Sequence, residues 1–314
     1  MKLGITITNF SWPGPASAMG PNIERIARTA DEAGVDSIWT MDHFFQIRAT
    51  GQPPEAPMLE AYATLGFIAG NTRRIRLGTL VTSVAYRHPG VLIKIVTSLD
   101  VLSGGRMVLG VGAGAPFNID PAHPTGDNEV GGLGLPFPSL SDRFECLEEL
   151  LRIAHQMWRG DEAPFTGKHY RMTRPLNSPN VLQHPHPPIL IGGGGERKTL
   201  RLVARYADAC NLFDLPGSGF QHDLPHKLRV LADRCREVGR DPREIEKTTT
   251  SLFDPGDDPP AAADRLVEHL GDLAAIGIDH AIVTPSRAWD VETLETVVAR
   301  VADVHRIDVA TAPV

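Results

Sequence analysis

Short aliphatic and β-branched runs alternate eight times with longer amphipathic stretches along 314 residues. That alternation restricts the chain to parallel sheets covered by helices. Strands are predicted at Leu3 to Thr8, Ser37 to Met41, Ile75 to Thr82, Met107 to Val111, Pro188 to Ile191, Cys210 to Phe213, Glu246 to Leu252 and His280 to Thr284. The first helix opens at Pro21, puts Ile23, Ile26, Ala27 and Ala30 on one face and closes at Gly34. The second covers about Leu59 to Asn71, and the third starts at Pro89, buries Leu92, Ile95, Val96 and Leu99, and ends at Ser103-Gly104-Gly105. The fourth, Asp142 to Trp158, carries Phe144, Leu147, Leu151 and Ala154 at helical spacing, and four more follow in turn, the last over about Val291 to Val304. Eight consecutive βα units in a chain of this length predict an α/β fold, a closed (β/α)₈ TIM barrel rather than an open doubly wound sheet, with one domain over 1–314.

Two segments exceed what a minimal barrel needs, residues 113–140 after the fourth strand and 160–187 before the fifth. Both are rich in Gly, Pro and His. The first leaves the C-terminal end of a strand, where barrels build their sites; the second follows a helix and reads as a surface insertion. They take up much of the excess of 30 Gly and 26 Pro.

The charge balance of 31 basic against 38 acidic residues, net −7, offers no footprint for nucleic acid. No apolar run is long enough to span a bilayer, and the N-terminus leads straight into a strand, so a cytoplasmic location is expected. Cys146, Cys210 and Cys235 are odd in number and far apart, which suits a reducing compartment and matches no disulfide framework or zinc site.

Three constellations carry possible chemistry. Gly192, Gly193, Gly194 and Gly195 stand between a strand and a helix expected to start near Glu196. They read as a phosphate cradle of backbone amides or as a flexible turn, and as neither a P-loop nor a dinucleotide fingerprint. Gly110-Val111-Gly112-Ala113-Gly114 either leaves room for a flat ring or merely fits barrel packing layers. Asp42-His43-Phe44 follows the second strand, so its carboxylate and imidazole stand on the catalytic rim or cap a turn. His88, His169, His184, His186 and His226 read as solvated or loop residues, and no metal-ligand spacing is present.

Taken together, several blocks make the chain similar to the luciferase-like monooxygenase superfamily, in its branch that uses the deazaflavin coenzyme F420. They are Leu3-Gly4-Ile5, Ser37 to His43, Arg76 to Thr82 running on to His88-Pro89, Leu99 to Arg106, Leu109 to Gly114, Asp142-Arg143-Phe144 and Gly192 to Gly195. The resemblance implies a ring across the barrel mouth, its tail phosphate on the glycine turn, and Asp42 and His43 in contact with the deazaflavin. It implies a non-prolyl cis peptide behind the ring at Ser83-Val84, with Thr82 beside it, coenzyme contacts from Gly112, Ala113 and Gly114, and another from Asn118. Family members that oxidise sugar phosphates carry a glutamate proton donor just after the strand-four glycines. Here Ala115 and Pro116 stand there, which argues against that substrate.

The function expected is hydride transfer between C5 of F420 and a small organic substrate, with His43 as proton partner. The alternatives are an FMNH₂-dependent monooxygenase using FMN in the same site, and a carrier or sensor that binds F420 without turnover. A homodimer is expected from the resemblance alone.

Overall fold

The computed structural model describes residues 1–48, 51–114 and 128–310. The barrel strands are β1 (Lys2–Ile7), β2 (Ser37–Thr40), β3 (Arg76–Thr79) with a short continuation β4 (Thr82–Ser83), β5 (Met107–Gly112), β8 (Ile189–Gly192), β9 (Ala209–Asp214), β10 (Glu246–Phe253) and β11 (His280–Pro285). All pair in parallel in the order β3-β2-β1-β11-β10-β9-β8-β5, and β3 pairs back onto β5 through Leu77 with Met107 and Gly78 with Val108. The sheet is therefore a closed eight-stranded barrel, the predicted fold. A two-stranded hairpin, β6 (Phe165–Thr166) and β7 (Arg171–Met172), stands apart from it.

Ten α-helices occur among the described residues. They are α1 (Met19–Ala33), α2 (Ala61–Asn71), α3 (Pro89–Ser103), α4 (Glu129–Leu133), α5 (Leu140–Trp158), α6 (Thr199–Tyr206), α7 (Leu224–Val238), α8 (Pro259–Ala275), α9 (Val291–Val298) and α10 (Val301–His305). The last two replace the single helix expected over Val291 to Val304. None of the described helices is long and apolar enough to cross a membrane.

Alternation along the strands divides the apolar residues into two sets. One set, including Leu3, Ile5, Ile38, Leu77, Leu109 and Ile191, faces the helices and joins the main core. The other, Trp39, Val108, Leu190, Ala209 and Ile282, forms a separate cluster inside the barrel, with Leu80 and Val81 packed on it. Gly78 makes room for the Trp39 ring, because a Cβ there would come within 2.5 Å of it.

Residues 160–187 run along the outside of α3 and α5. Glu149 on α5 accepts the amides of Lys168 and Tyr170 at 2.6 and 2.9 Å, and Asp100 on α3 accepts the Leu182 amide at 2.7 Å. This segment is an outer buttress, as its position after a helix suggests.

The tightest point of the barrel is at Gly110. A Cβ there would stand 1.7 Å from the Thr79 carbonyl oxygen, which is backbone and cannot rotate away. Gly110→Ala is expected to cost at least about 3 kcal/mol, read as a lower denaturation midpoint. An unchanged midpoint would contradict the contact.

Candidate functional site

The C-terminal ends of the strands carry a cleft of about 240 Å³. Asp42 and His43 line it after β2, Ser83 from β4, Gly112 at the end of β5 with Ala113 and Gly114 beyond it, and Gly192 at the end of β8 with Gly193 beyond it. Its apolar walls are Leu80, Val81, Phe144 and Phe213; Tyr86, Thr199 and Asn211 add polar atoms. The sequence thus folds eight of the expected site residues around one space.

The remaining expected residues lie elsewhere. Thr82 is fully buried, its hydroxyl between Tyr62 Oη at 2.7 Å and Thr79 Oγ1 at 3.0 Å. Val84 is also buried and lines a separate cavity beside His88, Cys146 and Tyr170. Gly194 and Gly195 stand against His222 and Thr199, which a Cβ would approach to 2.7 and 2.8 Å. Asn118 and Ala115 lie outside the described residues. Among the described residues the non-prolyl cis bond is Leu80–Val81, not the expected Ser83–Val84. The expectation ran β3 on to Thr82, whereas the strand stops at Thr79 and Leu80 donates its amide to the Thr40 carbonyl.

Two of the glycine readings change physically. Gly112 and Gly192 lie against Val81, whose methyls a Cβ would meet at 2.9 and 3.0 Å. Their missing side chains make room first for the cleft wall. The Gly193 amide donates to the Asn211 carbonyl at 3.0 Å, and α6 starts at Thr199, three residues later than the expected Glu196.

Two charge networks hold the polar end of the cleft. Asp42, buried to 1% exposure, accepts both guanidinium nitrogens of Arg87 at 2.5 and 3.0 Å. Arg87 also donates to Glu60, the side chain that caps α2, and lies between the Phe44 and Tyr62 rings. Burial pushes the Asp42 carboxyl up, with Arg87 pulling the other way. A paired, bidentate carboxylate of this kind is a fixed structural charge more than a free acid.

The second network belongs to His43. Its Nδ1 lies 2.6 Å from Glu129 Oε1, and the other Glu129 oxygen accepts the Phe44 amide at 2.5 Å. The Tyr86 hydroxyl donates to Glu129 as well. Burial would raise the Glu129 carboxyl, but the hydrogen bonds from His43, Tyr86 and the Phe44 amide bring it below the ordinary glutamate range. Burial beside Glu129 pushes the Tyr86 hydroxyl up, so it remains a donor. A carboxylate on Nδ1 fixes the orientation of the ring.

Glu129, Tyr86, Arg87 and Glu60 were not among the expected site residues. Asn128 caps α4 by accepting the Gly131 amide, a local signal for a helix start at Glu129. Nothing local marks its contact with a histidine 86 residues away.

Among the described residues, one set of metal-type ligands, Asp142, Glu145 and His169, converges outside the cleft lining. Glu145 there already holds Lys168 and His169 at 2.6 and 2.7 Å.

Replacing Glu129 tests the second network. Because its native carboxyl is depressed, its contribution to stability is present above the ordinary glutamate value of 4.5 and is lost as pH falls through the native value. Glu129→Gln is therefore expected to be less stable than wild type at about pH 7, with the difference shrinking toward about pH 3 in urea melts. A difference that grows on acidification would contradict the pairing.

Comparison with known proteins places this geometry. The model of the luciferase-like monooxygenase family matches residues 1–307. The F420-dependent glucose-6-phosphate dehydrogenase of Nakamurella multipartita is 32% identical over 241 residues, which are 76% of this chain and 65% of the relative. The chain thus spans just under two thirds of the length of such relatives. Among solved structures, an F420-dependent secondary alcohol dehydrogenase in complex with an F420-acetone adduct superposes with a TM-score of 0.70 and 20% identity, over 97% of this chain and 99% of that one. A monooxygenase from Streptomyces bottropensis superposes with a TM-score of 0.75 and 19% identity, over 96% and 98%. At those identities the two structures speak for the fold; the family match over nearly all the sequence shows that the chain belongs to the luciferase-like monooxygenase family.

Proposed function

We propose that this protein is an F420-dependent oxidoreductase acting on a small organic substrate, with the coenzyme in the cleft beside His43. The observation that carries the reading is the cleft itself: apolar walls from Leu80, Val81, Phe144 and Phe213, with polar groups from His43, Ser83, Thr199 and Asn211. A flat tricyclic ring needs apolar faces and polar partners at its edge, and these residues fit that demand. The 32% identical relative, an F420-dependent dehydrogenase by name, supports the choice of deazaflavin.

When bound, the deazaflavin supplies a carbon that gives or accepts hydride. Leu80 and Val81, on the apolar wall of the cleft, would back the ring. Gly192 and Gly193, which carry no side chain, leave space at the end of the cleft beside Thr199 and the start of α6, where the anionic tail would lie. His43, oriented by Glu129, holds or takes the proton that accompanies hydride transfer. Asp42, locked to Arg87, keeps the loop after β2 in place beside it.

The reading extends to a homodimer in a reducing cytoplasm. Val91 and Leu102 on α3 are 55% and 78% exposed, and all three cysteines are buried free thiols. Light scattering is expected to give twice the 34.1 kDa of one chain; a single-chain mass would contradict the dimer.

Equilibrium titration discriminates the coenzymes. F420 is expected to bind with a Kd on the order of micromolar, and FMN more weakly. Tight FMN binding without F420 binding would turn the assignment to a flavin monooxygenase. His43→Ala is expected to retain F420 binding and lower turnover by about 100-fold. If turnover is unaffected, His43 is not the proton partner.

A further inference from the structure

We infer that a second cavity beside the coenzyme cleft is the substrate site, and that it takes an uncharged, largely apolar molecule rather than a phosphorylated sugar. The inference rests on the coenzyme reading of the neighbouring cleft. This cavity holds about 370 Å³, within the range of small-molecule sites. It lies over the C-terminal ends of β1, β9, β10 and β11 and shares Leu80 and Phe213 with the cleft. A molecule held there abuts whatever lies against Leu80.

Its walls are Ile47, Leu215, Phe220 and Leu252. Two of these, Phe220 and Leu252, are 43% and 47% exposed, so apolar surface is left open to water at this spot. The polar side chains on the lining are neutral, and several are already paired. Thr6 Oγ1 pairs with Thr284 Oγ1 at 3.2 Å, Thr250 Oγ1 donates to Asn211 at 2.9 Å, and Asn9 accepts the Ser11 amide at 2.9 Å. They leave capacity for one or two hydrogen bonds to a hydroxyl or carbonyl.

Among the described residues no Lys, Arg, His, Asp or Glu lines this cavity. Residues 49–50 and 115–127 contain no Lys or Arg either. A phosphoryl group entering such a lining loses its water and meets no counter-charge. Phosphate sites are built from Arg, Lys or helix N-termini, and this one has none of the first two. The sugar phosphate in the name of the curated relatives therefore does not match this cavity.

Isothermal titration of the purified full chain, with and without F420, tests this. The probes are cyclohexanone and 1-phenylethanol against glucose 6-phosphate. The neutral probes are expected to bind saturably and at least tenfold more tightly than the phosphate. Leu215→Arg and Leu252→Arg, at half-buried and exposed positions that tolerate the change, are each expected to weaken neutral binding at least tenfold. Glucose 6-phosphate binding to the wild type as tightly as the neutral probes would overturn the inference. So would an absence of saturable neutral binding in every condition, or neutral binding unaffected by both substitutions. F420 fluorescence reports coenzyme binding separately, so a failure of the coenzyme reading is seen on its own.

Discussion

The cleft exists because two neighbouring strands carry no Cβ where Val81 comes down on them. Gly112 ends β5 and Gly192 ends β8, and a methyl on either would press on the Val81 side chain at about the limit of contact. Leu80 and Val81 close the top of the barrel's inner cluster of Trp39, Val108, Leu190, Ala209 and Ile282. One short segment is thus both the lid of the core and the floor of the site. Gly110, one layer below, lets β5 approach the Thr79 carbonyl at the end of β3. Space that first looks like room for a ligand is in large part room for the wall the ligand would rest on.

Polar order at the site comes from two loops that meet in alternation. Asp42 and His43 are adjacent on one, Tyr86 and Arg87 on the other. Asp42 takes Arg87, while His43 and Tyr86 share Glu129. Each buried carboxylate is matched by donors, which is the condition under which buried charge is tolerated. Glu60 ties the first network to the start of α2, and Glu129 ties the second to α4. The insertion after β5 therefore contributes an orienting acid, although the residue at Ala115 lacks one.

Much of this was legible in the sequence because it depends on period and spacing. Eight βα units dictate the barrel, and strand ends dictate which residues share a rim, so Asp42, His43, Gly112 and Gly192 were within reach. What escaped depends on long-range pairing. Glu129 meets His43 across 86 residues, and β3 ends at Thr79, beside Thr40 and Gly110, before its own aliphatic run is complete. Reading that run through to Thr82 moved the expected cis bond three residues along the chain, and it moved Thr82 and Val84 to the cleft when they face away from it. Side-chain burial also redefined the glycine run, since Gly194 and Gly195 are committed to His222 and Thr199.

On the proposed function, a deazaflavin lies against Leu80 and Val81 with its polar edge at His43. A crystal structure of the protein soaked with oxidised F420 shows whether it does. Ring density is expected against the Leu80–Val81 wall, within hydrogen-bond reach of His43, with an anionic tail running toward Gly193. Density for the ring in the cavity between Leu215 and Leu252, or an empty cleft after a millimolar soak, would contradict it.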